Sequence, residues 1–485
     1  MDDRIRPWQW AAFGVGALLF FYALASHLSY FGSVSFLGAI LLTEVVIASL
    51  WKYDQRFFTL LMIAFLWAGM NVPLQGAWTG GRWAVLSAGT IIGYIIWIRS
   101  PRQRFRSIHL LAFFCIGAAF VSATVSSYAQ MASFKALSLL LLFLYCSAGA
   151  RLAAIWREER FFRGLVWACQ FAVYVTAICY LTLGAAIWGN PNSLGAAMSI
   201  GIFPVLLWAW FNSEGPVIKF HRLVSLLLCV YLVIYSLARA GISTMILITL
   251  AFCICLHQYK LLAKIVGLVL VAVAATGMLA PDLLSRTMDS MEDVVLYKGH
   301  KDQGLLGSRQ SPWDKSISSI KEHPLFGTGY GTSPTGEDPG LYFGKFSSSA
   351  ETVREHGSSY MTIAEWVGLL GVTPFLCILG LTAANVWKVF AWMRRTSNFR
   401  HYSIPLAMIV FGGLIHANFE DWLFAVGAYP CVYFWVCAFL LADLMPTAAV
   451  ASKVTVIPRR ARFAHPGFDP AAINPAVVNP AVVNQ

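Results

Sequence analysis

Three residues of this chain stand out for their chemistry: His356, Arg239 and Arg309. His356 lies in Arg354-Glu355-His356-Gly357-Ser358-Ser359-Tyr360, where a long polar stretch gives way to an apolar run. A histidine at such a boundary titrates near neutral pH and can act as a general base; a surface residue at a helix start is the plainer alternative. Arg239 is the only basic residue between apolar runs centred near residues 230 and 250. An ionisable side chain at membrane depth is costly and marks function by default, although an arginine stem also snorkels to the interface. Arg309 belongs to the polar stretch. Its planar, permanently charged fork fits phosphate oxygens, and a loop salt bridge with Asp314 is the alternative.

Membrane helices must position these residues. The chain has 485 residues, is 58% hydrophobic and 12% charged, and has a mean hydropathy of +0.66. Soluble domains carry about 25% charged residues. About 20 mostly apolar residues make one span. Fourteen runs qualify (12–14 with uncertain borders), centred near 17, 40, 66, 90, 117, 141, 175, 203, 230, 250, 270, 368, 408 and 434. The first run, with Arg4 and Arg6 before it, resembles a secretory signal, but further spans follow at once and it reads as an uncleaved helix. The ten cysteines all fall inside apolar runs, which excludes a disulfide framework or a Cys-rich metal site.

The net charge of +12 suggests nucleic acid, but its distribution argues otherwise. Of the 35 Lys and Arg, 24 fall in alternate loops and the two tails, and three (Arg82, Lys135, Arg239) in the short loops between them. The positive-inside rule puts both termini in the cytoplasm and the long polar stretch outside, periplasmic in a bacterium with two membranes. The expected organisation is a transmembrane bundle over 1–280, a large periplasmic loop over 281–358, transmembrane helices over 359–446 and a disordered cytoplasmic tail over 447–485.

Within the large loop, Ser311 reads as an N-cap, Pro312 as the first helical residue, and Trp313, Ile317 and Ile320 as one apolar face. Gly327-Thr328-Gly329-Tyr330-Gly331 follows. A dinucleotide fingerprint needs a strand before it and a helix after it, and a potassium filter needs a pore helix between adjacent spans. Neither context is present, so a glycine turn with positive φ is expected. Glu365 lies nine residues beyond His356, which on one continuous helix sets the two side chains on opposite faces. Glu365 therefore reads as structural. Glu44 needs a partner inside the membrane, and Glu420-Asp421 closes an external helix end. Most Trp and Tyr read as interfacial belt residues; Trp78, Trp83, Trp188, Tyr330 and Tyr342 could instead stack on sugar rings.

Over roughly residues 185 to 422 the chain resembles the bacterial O-antigen ligase and Wzy-type polysaccharide polymerase superfamily. The matching residues are Arg309, Trp313, His323-Pro324-Leu325-Phe326-Gly327-Thr328-Gly329-Tyr330-Gly331, His356 and Glu365-Trp366-Val367-Gly368-Leu369-Leu370-Gly371, with Asn190-Pro191-Asn192 and Arg239 upstream. Gly357 stands where the family pattern has Asn after the histidine. The resemblance implies an all-α, GT-C-like polytopic fold in the bacterial inner membrane. It implies en bloc transfer of a glycan from an undecaprenyl-pyrophosphate donor to an acceptor sugar hydroxyl, with inversion and without metal or cofactor. His356 would be the base, Arg239 and Arg309 the pyrophosphate ligands, and Glu365, Asn192, Trp313 and Tyr330 acceptor or structural residues. The expected partners are the lipid-linked donor, a saccharide acceptor, the bilayer and other polysaccharide assembly proteins, with no nucleic acid. Polymerase activity is the first expectation. Ligation to lipid A core and a lipid-linked glycan flippase are the alternatives.

Overall fold

The computed structural model describes residues 57–70, 75–99, 105–154, 158–182, 188, 191–279, 307–333 and 356–446. The regular elements among them are all helical: α1 (Phe57–Ala68), α2 (Gln75–Arg99), α3 (Ser107–Val125), α4 (Ala129–Ser147), α5 (Gly149–Ala154), α6 (Glu158–Thr182), α7 (Pro191–Ala196), α8 (Phe203–Phe211), α9 (Pro216–Tyr235), α10 (Arg239–Cys255), α11 (Tyr259–Leu279), α12 (Gly307–Glu322), α13 (Ser359–Thr396), α14 (Ser403–His416) and α15 (Tyr429–Asp443). A π-helical turn, Ala197–Ile202, joins α7 to α8.

Twelve of the fourteen apolar centres fall among the described residues, and each lies in one of these helices. The runs near 17 and 40, Glu44 and the tail after Pro446 lie outside them. Among the described residues, six helical stretches are long and apolar enough to cross a membrane, and α10, α14 and α15 are shorter apolar helices. The described residues form the all-helical bundle of a polytopic membrane protein. From the sequence, Arg239–Gly241 is the expected break between the runs near 230 and 250; the structure instead breaks the chain at Ser236–Ala238, where Leu237 takes φ 52°, and α10 already starts at Arg239.

Burial follows the sequence pattern. α14 and α15 are apolar on every side and almost wholly buried. A helix apolar all round belongs in the interior of a bundle. α3, α6 and α9 carry exposed Phe113, Phe114, Trp167, Phe171 and Phe220 on their outer faces, as lipid-facing helices do. α13 packs against α3, α10, α12 and α14.

Two corrections concern helix limits. α12 starts at Gly307, upstream of the expected cap at Ser311, so Pro312 lies inside the helix and its ring nitrogen makes no i→i−4 bond. The apolar run centred near 368 is not one straight span: α13 is broken there, at Gly368 with φ 65° and ψ −178°.

The connecting segments gather into two sets. At one end, Arg106 and Arg151 meet Asp443, Arg222 donates to Ser213, Asn212 donates to the Phe399 carbonyl, and Arg400 pairs with Glu214. The other end brings together the connections after α3, α12 and α14, as described below.

Candidate functional site

The site is built around the break in α13. Interrupting a helix leaves backbone groups without intrahelical partners. Here the segment after α12 fills them. The N–H groups of Thr328 and Gly329 donate to the carbonyls of Glu365 (3.0 Å) and Trp366 (3.1 Å). In return, Leu369 and Leu370 N–H donate to Pro324 (2.8 Å) and Leu325 (3.2 Å) carbonyls. The approach is so close that a Cβ on Gly327 would stand 2.4 Å from the Glu365 carbonyl oxygen, and one on Gly368 2.4 Å from that of Leu325. The expected glycine turn is present: Gly327, Gly329 and Gly331 take φ of 75°, 109° and 75°. Lys135 Nζ on α4 donates to the Gly331 carbonyl. Ser126, just after α3, and Thr332 share a hydroxyl hydrogen bond of 2.9 Å.

The connection between α14 and α15 forms the facing wall. Ser359, the first residue of α13, donates its N–H to the Ala417 (2.9 Å) and Glu420 (3.0 Å) carbonyls. Its hydroxyl donates to the Glu420 carbonyl at 2.6 Å and accepts from Leu423 N–H at 3.1 Å. Tyr330 donates to the Phe424 carbonyl (2.9 Å), Trp435 to that of Leu423 (2.8 Å) and Arg82 to that of Gly427 (2.7 Å). Asn192 at the start of α7 donates to Glu420 Oε1 at 3.0 Å. A connection tied at this many points is a rigid platform.

That platform presents Asp421 to His356. His356 precedes α13 in non-helical backbone and is fully buried. Its Nδ1 lies 3.2 Å from Asp421 Oδ2, and the same oxygen accepts the His356 backbone N–H at 3.1 Å. Nε2 lies 3.0 Å from Ser333 Oγ and 3.5 Å from Glu365 Oε1. Ser333 Oγ donates to Glu365 Oε1 at 3.3 Å. The Trp366 ring meets the imidazole edge-on at 5.8 Å. Burial alone would lower the His356 pKa; hydrogen bonds to Asp421 and Glu365, with their charges, outweigh it and raise the value above the ordinary 6.5. Burial would raise the Asp421 pKa, but its hydrogen bonds and charge contact with His356 pull it below 3.8. The site is therefore built to hold a proton on the imidazole between two carboxylates.

The structure overturns the separation of His356 from Glu365. His356 lies before the first turn of α13, so a helical repeat does not relate the two residues, and their side chains touch. Asp421, read from sequence only as a helix end, is the second partner. Ser333 went unremarked; its place two residues after the last glycine of the turn was its one signal. Tyr330 and Trp188 are 1% and 3% exposed and serve the core, which removes them as sugar platforms. Trp188 donates to Thr176 Oγ1. Trp83 packs on Phe65, under the Arg82 guanidinium. Asn192 acts on the site through Glu420. Trp313 is half-buried on α12. Arg239 is the first residue of α10, half-buried, on a helix that packs against α13 and α14. Arg309 lies in the first turn of α12, and its side chain falls outside the described residues, as do Tyr342, Arg354, Asn190 and the Trp78 side chain. No group of three or more His, Cys, Asp or Glu residues able to hold a metal ion occurs among the described residues.

The family model described as O-antigen ligase matches residues 224–376, about a third of the chain. That segment contains Arg239, Arg309, Ser333, His356 and Glu365. No curated protein matches the chain.

Proposed function

We propose that this protein is a glycosyltransferase of bacterial cell-surface polysaccharide synthesis. It moves a glycan en bloc from an undecaprenyl-pyrophosphate donor to an acceptor sugar hydroxyl. The observation that carries the reading is His356, inside the matched segment, held by Asp421 at Nδ1 and flanked by Glu365 at Nε2. A carboxylate on Nδ1–H fixes the tautomer that leaves Nε2 basic and stabilises the imidazolium formed when it takes a proton.

In this reading the acceptor's proton ends on Nε2. A positioned base of this kind contributes about 10²–10⁴-fold. The departing pyrophosphate gathers negative charge, which Arg239 and Arg309 balance through their forked guanidinium groups. Attack from the side opposite the leaving group inverts the anomeric centre. The reaction draws on no metal and no nucleotide sugar. In this reading the His356 end of the bundle faces the periplasm, both termini lie in the cytoplasm and the protein sits in the inner membrane; the positive-inside asymmetry supports that orientation. Other polysaccharide assembly proteins would hand over the donor or receive the product.

A polymerase joins repeat units to a growing lipid-linked chain, for O-antigen, capsule or exopolysaccharide. The matched family's description favours a second reading, ligation of a finished glycan to lipid A core. Broken helices also occur in transporters. Here the break in α13 is filled by loop backbone beside His356, which favours chemistry over passage.

The test is purified protein in liposomes with an undecaprenyl-pyrophosphate oligosaccharide and a chelator, comparing wild type with His356→Ala. Transfer that persists in chelator and vanishes in the variant supports the reading. A ladder of products marks a polymerase and a single addition a ligase. Transfer by His356→Ala at the wild-type rate sinks the assignment.

A further inference from the structure

His356 Nε2 meets two groups, Ser333 Oγ at 3.0 Å and Glu365 Oε1 at 3.5 Å, and these are 3.3 Å from each other. Ser333, His356 and Glu365 are each 0% exposed. A serine hydroxyl has one proton and two lone pairs, so Ser333 has two settings in this triangle. When His356 is charged, Nε2–H donates to Ser333 Oγ, and Ser333 donates to Glu365. When His356 is neutral with Nδ1–H on Asp421, Ser333 turns its proton to Nε2 and offers a lone pair to another hydroxyl. Glu365 is in place for this exchange because Thr328 and Gly329 pin the carbonyls at 365 and 366, on the turn that ends at Ser333.

We propose that Ser333 is a proton relay between the acceptor hydroxyl and His356, and that Glu365 is the positioning residue that turns the relay and balances the charge it creates. This rests on the glycan-transfer reading above. In the step, the acceptor O–H bond breaks and its proton joins Ser333 Oγ, while the proton already on Ser333 passes to Nε2. The acceptor oxygen bonds to the anomeric carbon, and the bond from that carbon to the pyrophosphate oxygen breaks. Its electron pair leaves with the pyrophosphate. Ser333 ends with one proton, as it began, now directed at Glu365. The imidazolium lies between two carboxylates, whose charges balance it.

The full-length chain in liposomes, with the oligosaccharide donor named above, tests this. Ser333→Ala should cut kcat roughly 10²-fold at unchanged KM, with Ser333→Thr recovering much of the loss. Glu365→Gln should lower kcat and move the acid limb of the pH profile to lower pH, and Glu365→Asp should restore part of both. Ser333→Ala turning over at the wild-type rate overturns the relay, whatever Glu365→Gln does to folding. A parallel titration of the histidines by ¹⁵N NMR needs no substrate. It should show the His356 midpoint falling in Glu365→Gln and shifting in Ser333→Ala. An inactive wild type sinks the glycan-transfer reading, whereas a midpoint unmoved in both variants overturns the Ser333–Glu365 coupling itself.

Discussion

Asp421 Oδ2 accepts two hydrogen bonds from one residue, the Nδ1–H (3.2 Å) and the backbone N–H (3.1 Å) of His356. The paired contact fixes both the ring's tautomer and its position, and the Ser359 N–H and the Tyr330 hydroxyl, donating to backbone carbonyls, hold the segment that carries Asp421. Asp421→Asn keeps the shape but removes the charge and offers an N–H to the same ring nitrogen. Transfer should fall by about 10²–10⁴-fold, and the melting temperature should fall too, because the charge contact between Asp421 and His356 is lost. A variant as active as wild type would remove Asp421 from the mechanism.

The pH profile follows from the same geometry. The raised pKa keeps His356 protonated to above pH 6.5. A base must be neutral, so transfer should rise with pH through a midpoint above the ordinary histidine value. Stability runs the other way. The imidazolium's contribution is complete below the unfolded-state value and is lost as pH rises through the folded-state one. Asp421, with its pKa lowered, stabilises above its ordinary value, and that contribution is lost as pH falls through its folded-state pKa. Initial rates and thermal unfolding measured across pH 5 to 9 separate the two: activity should climb over the range in which the His356 contribution to stability declines.

The bundle was legible because each run is long and apolar enough to be a helix whatever surrounds it. The glycine turn was legible as well, since Gly327, Gly329 and Gly331 at alternate positions fit backbone that other residues avoid. The site was only half legible. His356 and Glu365 looked opposed because a helix was assumed to run through both, whereas His356 precedes the helix. Asp421 lies 65 residues from His356 in sequence, and no local period links them. Ser333 carries no signal beyond its place after the turn. Contacts made where three connections converge come from tertiary packing, which spacing along the chain does not encode.

Gly368 shows how strictly the break is specified. Its φ of 65° and ψ of −178° lie in a region essentially confined to glycine, and a Cβ there would also meet Leu325 backbone at 2.4 Å. Gly368→Ala should cost about 3 kcal/mol or more, combining strain with overpacking. Gly380→Ala, in the same helix with open space around it, is the control and should be neutral or stabilising by about 0.5–1 kcal/mol. Thermal unfolding of both variants in one detergent measures the difference, and equal melting temperatures would contradict the break.

At the opposite end, Asp443 pairs with Arg151 and Arg106, and Asp443 and Arg151 side chains are only 5% and 6% exposed. Removing one member of a buried pair strands the other charge, at about 3–5 kcal/mol. Asp443→Ala should therefore unfold at markedly lower temperature. Its kcat per folded molecule should stay at the wild-type value, because this cluster and the His356 cluster share no residue. Activity normalised to the folded fraction checks both halves of the expectation.

Arg239 separates donor binding from proton transfer. It heads α10, which packs against both α13 and α14, the helices that frame His356 and the Asp421 segment. Its guanidinium offers two parallel donors to one phosphate, which the single ammonium of lysine does not reproduce. A charged hydrogen bond contributes about 1.5–3 kcal/mol, so Arg239→Ala should weaken donor use roughly 10- to 150-fold. Arg239→Lys should recover only part of that. If the work of Arg239 is donor binding, the midpoint of the acid limb should stay where it is in both variants. A loss confined to kcat, with a displaced acid limb and unchanged donor KM, would place Arg239 on the proton path and take it off the pyrophosphate.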